Sequence, residues 1–178
     1  RTPDAGSTGG IVLPGDNTVA RLGPVTLHGG DLVFASTAPL LLVPQDVSIN
    51  VDGSVTLTAT LGAMTVSGPI EAGGTIKLAA PLGLLTLDAP SLTARGGSIL
   101  VQGLAVDSLA ALTAGGDIEV EGEERLAIGG RLQAGGDILL SAPEMMLEGV
   151  DARGQDLYLQ LFGGLVNGAV DTGRLVLV

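Results

Sequence analysis

Four aspartates occupy one recurring position in the sequence, directly after a glycine-containing pair of residues: Asp31, Asp117, Asp137 and Asp156. Carboxylates stacked at a fixed position of a repeat are a potential calcium site, because Ca²⁺ takes about six to eight oxygen ligands. Calcium-binding repeats of this kind carry a further Gly and Asp in every copy, and this sequence does not. We therefore expect the aspartates to cap the turn through their side chains, with Ca²⁺ as the weaker alternative. We expect no cofactor.

The densest acidic run consists of four glutamates, Glu119, Glu121, Glu123 and Glu124. Paired carboxylates catalyse glycoside hydrolysis, and alternation along a strand would place Glu119 and Glu121 on one side. Carbohydrate-active sites also use aromatic platforms, whereas this chain has one Tyr and two Phe. We expect a solvated acidic face with Arg125 and Arg131 as its partners, and no catalytic activity. A carbohydrate-active β-helix enzyme is the remote alternative.

The composition excludes several other chemistries. The chain has no Cys and one histidine, His28, which excludes disulfides and metal sites built from thiolates or several histidines. The net charge is −11 with a single lysine, Lys77, so nucleic-acid phosphates repel the chain. No apolar run approaches about 18 residues, so we expect no membrane insertion.

A glycine or a Gly-Gly pair precedes a short aliphatic segment nine times along the 178 residues. Counted from the residue before each segment, the copies fall at 10, 30, 53, 74, 97, 116, 136, 155 and 173, with spacings of 18 to 23 residues. Helical repeats would need stretches with a period of about 3.6 residues, and none is present. The period indicates a stack of short β-coils.

Each copy alternates between inward and outward residues. The inward position two residues after the anchor forms a core ladder of Leu32, Val55, Ile76, Ile99, Ile118, Ile138, Leu157 and Leu175, with Val12 as its first member. Residues spaced by two share one face of a strand. The residue between them varies from Lys77 to Leu100 to Glu119, which predicts a face turned at least partly to solvent.

Each copy also contains two further apolar segments. The second comprises Val25/Leu27, Leu85/Leu87, Leu126/Ile128 and Met145/Leu147, and the third comprises Leu92, Leu112, Leu132 and Val150. Three strands in about 20 residues make one turn of a coil. The sequence therefore predicts an all-β fold: a single right-handed parallel β-helix (β-solenoid) of about 8–9 coils of 18–23 residues, on the order of 40 Å long.

We expect residues 1–178 to form one solenoid unit. It divides into a lead-in (1–8), less regular coils (9–95) and regular coils with an uncapped end (96–178). Open solenoid ends need cover, from flanking repeats of a longer shaft or from a second copy stacked head to tail into a filament. The candidate end-to-end interface comprises Ile11, Val12, Leu13, Leu175, Val176, Leu177 and Val178.

The segments from Leu132 to Ala142 and from Leu112 to Val120 resemble the repeats of filamentous haemagglutinin and related two-partner-secretion exoproteins. The resemblance covers the chain from Gly73 onward, with weaker copies back to Gly9. It implies a secreted right-handed β-solenoid at the surface of a Gram-negative cell, serving as a fibre shaft or adhesin. It also implies partners among flanking repeats, host or cell-surface glycans and proteins. The family's secretion-domain Asn-Pro motifs are absent, so the resemblance is to the shaft.

Overall fold

The protein is an all-β parallel solenoid, which confirms the predicted fold class. The computed structural model describes residues 9–160 and 163–177, and these contain no helix, hence none that could cross a membrane. All strand pairings among them are parallel and join 17 strands into one sheet. The strands are β1 (Ile11–Asn17), β2 (Val25–Leu27), β3 (Leu32–Ser36), β4 (Leu40–Val43), β5 (Ile49–Val51), β6 (Val55–Ala59), β7 (Ala63–Val66), β8 (Ile70–Ala72), β9 (Ile76–Leu87), β10 (Ser91–Ala94), β11 (Ile99–Ser108), β12 (Ala111–Ala114), β13 (Ile118–Ile128), β14 (Arg131–Ala134), β15 (Ile138–Ser141), β16 (Glu144–Gln160) and β17 (Gly163–Leu177).

The sheet winds into three faces, each made of equivalent strands stacked one coil apart. The first face contains β1, β3, β6 and β15, with the starts of β9, β11 and β13 and the ends of β16 and β17. The second face contains β4 and β7, then the ends of β9, β11 and β13 and the starts of β16 and β17. The third face contains β2, β5, β8, β10, β12 and β14, followed by the middles of β16 and β17.

The chain makes about seven turns, fewer than the eight or nine predicted. The prediction counted the strands of the first face, where the first and last rungs belong to incomplete turns. The first turn pairs on the second face only through an isolated bridge from Arg21 to Leu42. The last rung, at the end of β17, has no second-face strand after it within the described residues.

The core lies between the three faces and consists of aliphatic ladders. On the first face the residues of the core ladder from Leu32 to Leu157 are at most 2% exposed, and each is paired with its equivalent in the next coil. Leu175 pairs with Leu157 in the same register but is 51% exposed, because no described rung lies beyond it. Stacked Val, Leu and Ile side chains fill most of this narrow interior, and Phe34 is the one aromatic ring among the buried residues of the described core.

The first rung is displaced by one residue from its predicted alignment. Ile11 pairs with Leu32, and Val12 pairs with the outward Val33. Val12 is accordingly 61% exposed, so its predicted inward place was wrong. The error came from anchoring this copy on Gly10, whose register partner is Asp31 rather than Gly30.

Two further predicted positions belong elsewhere. Val25 pairs with Ile49 and therefore opens the third face, not the second. Leu132 pairs with Ala152, so Val150 is buried two residues away from the third-face ladder. In both cases a loop makes the coil longer or shorter than the average period. An alignment that assumes a fixed period therefore places these residues at the wrong position.

The Gly-Gly pairs serve close stacking of coils more than special dihedral angles. Among the described residues only Gly29, Gly30 and Gly149 have positive φ. At Gly135 a Cβ would overlap the carbonyl oxygen of Gly115 in the coil below. Glycine is needed here because the backbone of the neighbouring coil occupies the space of a side chain.

Candidate functional site

The position that follows each glycine pair forms one column along the rod. Reading from coil to coil, its members are Asp31, Ser54, Thr75, Ser98, Asp117, Asp137, Asp156 and Arg174. The four predicted aspartates therefore share one edge of the solenoid, but serine and threonine separate Asp31 from the other three.

Side chains of this column accept backbone hydrogen bonds from the next coil. Asp31 Oδ1 accepts the N–H of Ser54 at 2.7 Å, and Asp117 Oδ1 accepts that of Asp137 at 2.9 Å. Asp137 Oδ1 likewise accepts the N–H of Asp156 at 3.1 Å. The hydroxyls of Ser54 and Ser98 do the same, at 3.2 and 3.0 Å. Carboxylate and hydroxyl are interchangeable here because the position needs one acceptor oxygen.

This arrangement engages part of the oxygen set that a calcium ion would need. No three or more His, Cys, Asp or Glu side chains among the described residues are grouped so that they could hold a metal ion. Each of Asp31, Asp117 and Asp137 already has one oxygen engaged by backbone. Calcium binding by the column stays the weaker, untested alternative to turn capping.

The column ends in a polar cluster that sequence reasoning did not single out. Arg174 donates to Asp156 Oδ2 at 2.9 Å and to the Tyr158 hydroxyl at 3.1 Å. Tyr158 in turn donates to Asp156 Oδ2 at 3.2 Å. The hydrogen bond with Tyr158 and the charge of Asp156 raise the pKa of the Arg174 guanidinium above its ordinary value. The cluster joins the last two rungs of the first face.

The acidic run is exposed, but its predicted arginine partners pair elsewhere. Arg125 contacts Asp107 at 3.0 Å, and Arg131 lies 3.7 Å from Asp151. Both partners lie on neighbouring coils, because the register places outward residues of adjacent coils beside one another. Within the run, Glu121 accepts a hydrogen bond from Gln102 at 3.3 Å. Glu119 and Glu121 border a depression of about 140 Å³ that also contacts Lys77.

The lone histidine lies on the surface. The His28 side chain is 64% exposed, and its Nδ1 is 4.0 Å from Asp52 Oδ2. The same Asp52 oxygen accepts the Gly29 N–H at 3.1 Å. This geometry is that of a surface turn.

Both ends of the described rod expose apolar side chains. Val12 and Leu13 are 61% and 47% exposed, and Leu175 and Leu177 are 51% and 67% exposed. Ile11 and Val176 are partly buried, and Val178 lies outside the described residues, as does the lead-in 1–8.

Sequence reasoning also missed a groove of about 460 Å³ at the corner between the second and third faces. We call it the second-face groove; it is lined by Thr86, Leu87, Asp88, Asp107, Ser108, Leu109, Ala127, Ile128, Gly129, Met146 and Glu148. Its sequence signal was a mismatch between coils. Leu109 lies in a turn where the next coil has Gly129, so the large side chain cannot be part of a ladder.

No family model, no curated protein and no solved structure matches the chain.

Proposed function

We propose that the chain is a non-enzymatic structural solenoid, a shaft segment of a secreted cell-surface fibre or adhesin. The observation that carries this proposal is the continuity of the three faces. Parallel pairing continues from coil to coil on each face over about seven turns, with only local register shifts. A shaft needs uninterrupted pairing, because the rod would bend at any coil that lacks hydrogen bonds to its neighbours.

Nearest-coil contacts supply the stiffness. Each inner coil pairs with a neighbour above and a neighbour below. Its backbone groups are therefore hydrogen-bonded on both sides, and its core side chains pack against both neighbours. The nine first-face rungs span about 38 Å at about 4.8 Å per coil. An excess of carboxylates keeps such a rod soluble.

The location and the partners follow from the repeat resemblance. Filamentous haemagglutinin-like repeats imply a place outside a Gram-negative cell, and the chain's lack of cysteine suits passage through an oxidising compartment. The partners proposed on this basis are flanking solenoid repeats and surface glycans or proteins.

A second candidate is a subunit that stacks end to end into an extracellular filament. The exposed apolar residues of both terminal rungs favour it, because unpaired strand edges flanked by apolar side chains are templates for further pairing. The contact would be head to tail, and such contacts extend without closing.

A carbohydrate-active enzyme is the remote alternative. The depression beside Glu119 and Glu121 is about 140 Å³, whereas small-molecule sites usually enclose roughly 300–1,000 Å³. The residues that line this depression include no aromatic side chain on which a sugar ring could stack.

Electron microscopy and sedimentation over a range of protein concentrations separate the two structural candidates. The shaft proposal predicts rods of constant width and length, on the order of 40 Å, at every concentration. Lengthening at constant width would replace the shaft by the filament. In that case Leu177→Lys should block growth, because it places a charge on the terminal rung, and Glu119→Lys on the side of the rod should not.

The proposed location is tested on intact cells of the source organism. An antibody raised against the folded chain should label unpermeabilised cells, and external protease should remove the label. Labelling that requires permeabilisation would contradict a surface fibre.

A further inference from the structure

The second-face groove is a dip in an otherwise regular surface, produced by one coil with small side chains. Ala127 and Gly129 form its middle, and the coils on either side contribute Leu109 and Met146. A Cβ at Gly129 would lie 3.0 Å from Leu109 Cδ2, so the leucine side chain extends over the glycine. Leu109 and Met146 are 72% and 48% exposed and form the two walls.

The charged residues that line the groove are all acidic. Asp107 is compensated by Arg125 at 3.0 Å. Asp88 and Glu148 form no ion pair within the described part of the chain, and no basic residue lines the groove. Apolar walls between uncompensated carboxylates are complementary to a molecule that is both apolar and positively charged.

One residue at the groove carries an unpartnered hydroxyl that faces the core. Ser108, which lines it, takes the place that Leu87 and Ile128 hold in the adjacent coils. Ser108 is 2% exposed, and its Oγ is the one buried side-chain polar atom without a partner among the described residues. Because this Oγ is buried on the inward side of the strand, recognition in the groove depends on the apolar walls and on the carboxylates instead.

The dimensions fit a small molecule. A volume of about 460 Å³ lies in the usual range of ligand sites, roughly 300–1,000 Å³, and four coils span about 14 Å. A sugar would need many polar partners, whereas most of the exposed surface inside this groove is apolar. We propose that the second-face groove binds a small organic cation, one ammonium group carried on an apolar body of about ten carbon atoms. The site does not depend on the shaft function.

Methionine NMR tests this directly, because the chain has three methionines and only one lies in the groove. Met64 and Met145 are in the core at 0% and 2% exposure, and Met146 is a groove wall. Protein labelled with ¹³C at the methionine methyls is titrated with 4-phenylbutylamine, 4-phenylbutan-1-ol and 4-phenylbutyrate, which share one shape and differ in charge. We expect a saturable shift of Met146, with the amine binding about tenfold more tightly than the alcohol and the acid weakest.

Two pairs of variants assign the effect to the groove. Asp88→Asn with Glu148→Gln should weaken amine binding about fivefold to tenfold and leave the alcohol unchanged. The matched control, Glu119→Gln with Glu121→Gln, changes the net charge equally and should change neither. Leu109→Ser should weaken both ligands, whereas Leu82→Ser, at a similarly exposed leucine on another corner, should weaken neither.

Equal affinity for amine and alcohol would overturn the proposal, and so would shifts of equal size at all three methionines. An equal loss of amine binding in the control double variant would also overturn it, because the attraction would then be that of the net charge. The substituted residues are surface-exposed, so circular dichroism should show each variant folded.

Discussion

At the scale of single residues, the column after the glycine pairs needs one acceptor oxygen for the N–H of the next coil, and this oxygen can belong to a carboxylate or to a hydroxyl. Asp137 and Ser98 have different side chains, yet each accepts the N–H of the next coil. The recurrence of Asp at this position therefore has a structural explanation that requires no ion. Buried hydroxyls likewise need a hydrogen-bond partner to offset the cost of their burial.

Replacing Asp137 separates its hydrogen bond from its charge. Asp137→Ala should lower the free energy of unfolding by about 1 kcal/mol, because the N–H of Asp156 loses its acceptor. Asp137→Asn keeps an acceptor oxygen and should retain that stability. Denaturant titration measures both, and hydrogen exchange should show faster exchange of the Asp156 amide in the alanine variant. Equal stability of the two variants would contradict this role.

The two buried serines should respond in opposite directions to alanine. Ser36 Oγ donates to the Val19 carbonyl at 2.8 Å and accepts the Ala38 N–H at 3.1 Å, whereas Ser108 Oγ has no partner. Ser36→Ala should cost about 1–2 kcal/mol of unfolding free energy. Ser108→Ala should be neutral or stabilising, because no bond is lost and a buried polar group is removed. Thermal and denaturant unfolding compare them, and a greater loss at Ser108 would refute the assignment.

At the scale of strands and coils, alternation and period were enough to predict the core ladder and the parallel stack. They failed where individual coils vary. Val12 was misplaced because the first copy begins one residue earlier than its glycines suggested. Val25 was assigned to the wrong face because the loops of the early coils are longer, and side-chain patterns do not reveal loop length.

The surface features were harder to predict than the core, for a physical reason. Inward positions repeat because each must fit the coil above and below. Ion pairs such as Arg125 with Asp107 depend on which outward residues meet across coils, and this needs the exact register. The groove at Leu109 arises because the equivalent residue of the next coil is Gly129. A search for repeated residue types does not detect such a difference between coils.

Close stacking of coils makes the glycine pairs intolerant of a side chain. Gly135→Ala should cost about 1–3 kcal/mol of unfolding free energy, because its Cβ would overlap the Gly115 carbonyl and the coils would have to separate. Gly23 has nothing within 4 Å of its Cβ position, so Gly23→Ala is the control and should be neutral or slightly stabilising. Urea unfolding of the two variants tests this, and equal tolerance would argue against close stacking.

The inward ladder is tested by a charge at its centre. Ile118 is 0% exposed and lies between Ile99 and Ile138, so Ile118→Asp should cost about 4 kcal/mol or more and disrupt the local coils. The adjacent outward residue provides the control: Glu119→Ala should change stability by less than about 0.5 kcal/mol. An unchanged circular dichroism spectrum and thermal midpoint in Ile118→Asp would refute the inward assignment.

At the scale of the whole molecule, charge works against the compact state. All six arginines in the described residues pair with a carboxylate, mostly across coils, but 19 acids face 8 bases in the full chain. The exposed pairs are each worth little, and the excess of acids repels along the whole rod.

Added salt should therefore stabilise the protein. Raising NaCl from about 0.01 M to about 0.5 M shortens the screening length and should raise the thermal midpoint by several degrees, measured by circular dichroism. Sodium sulfate at matched ionic strength would add exclusion effects, so NaCl is the appropriate salt. A falling midpoint would mean that the cross-coil ion pairs outweigh the net repulsion.

The central claim is an uninterrupted stack in which each coil adds one strand spacing, and distances along one outward row test it most directly. The chain has no Cys, so pairs of cysteines can be introduced and spin-labelled without background. With Thr56→Cys fixed, partners at Leu139, Tyr158 and Val176 lie four, five and six coils away on the first face. Pulsed electron–electron double resonance should give distances between the two spin labels of about 19, 24 and 29 Å, rising by about 4.8 Å per coil. Distances that fail to rise by this increment would contradict the solenoid and the shaft function proposed from it.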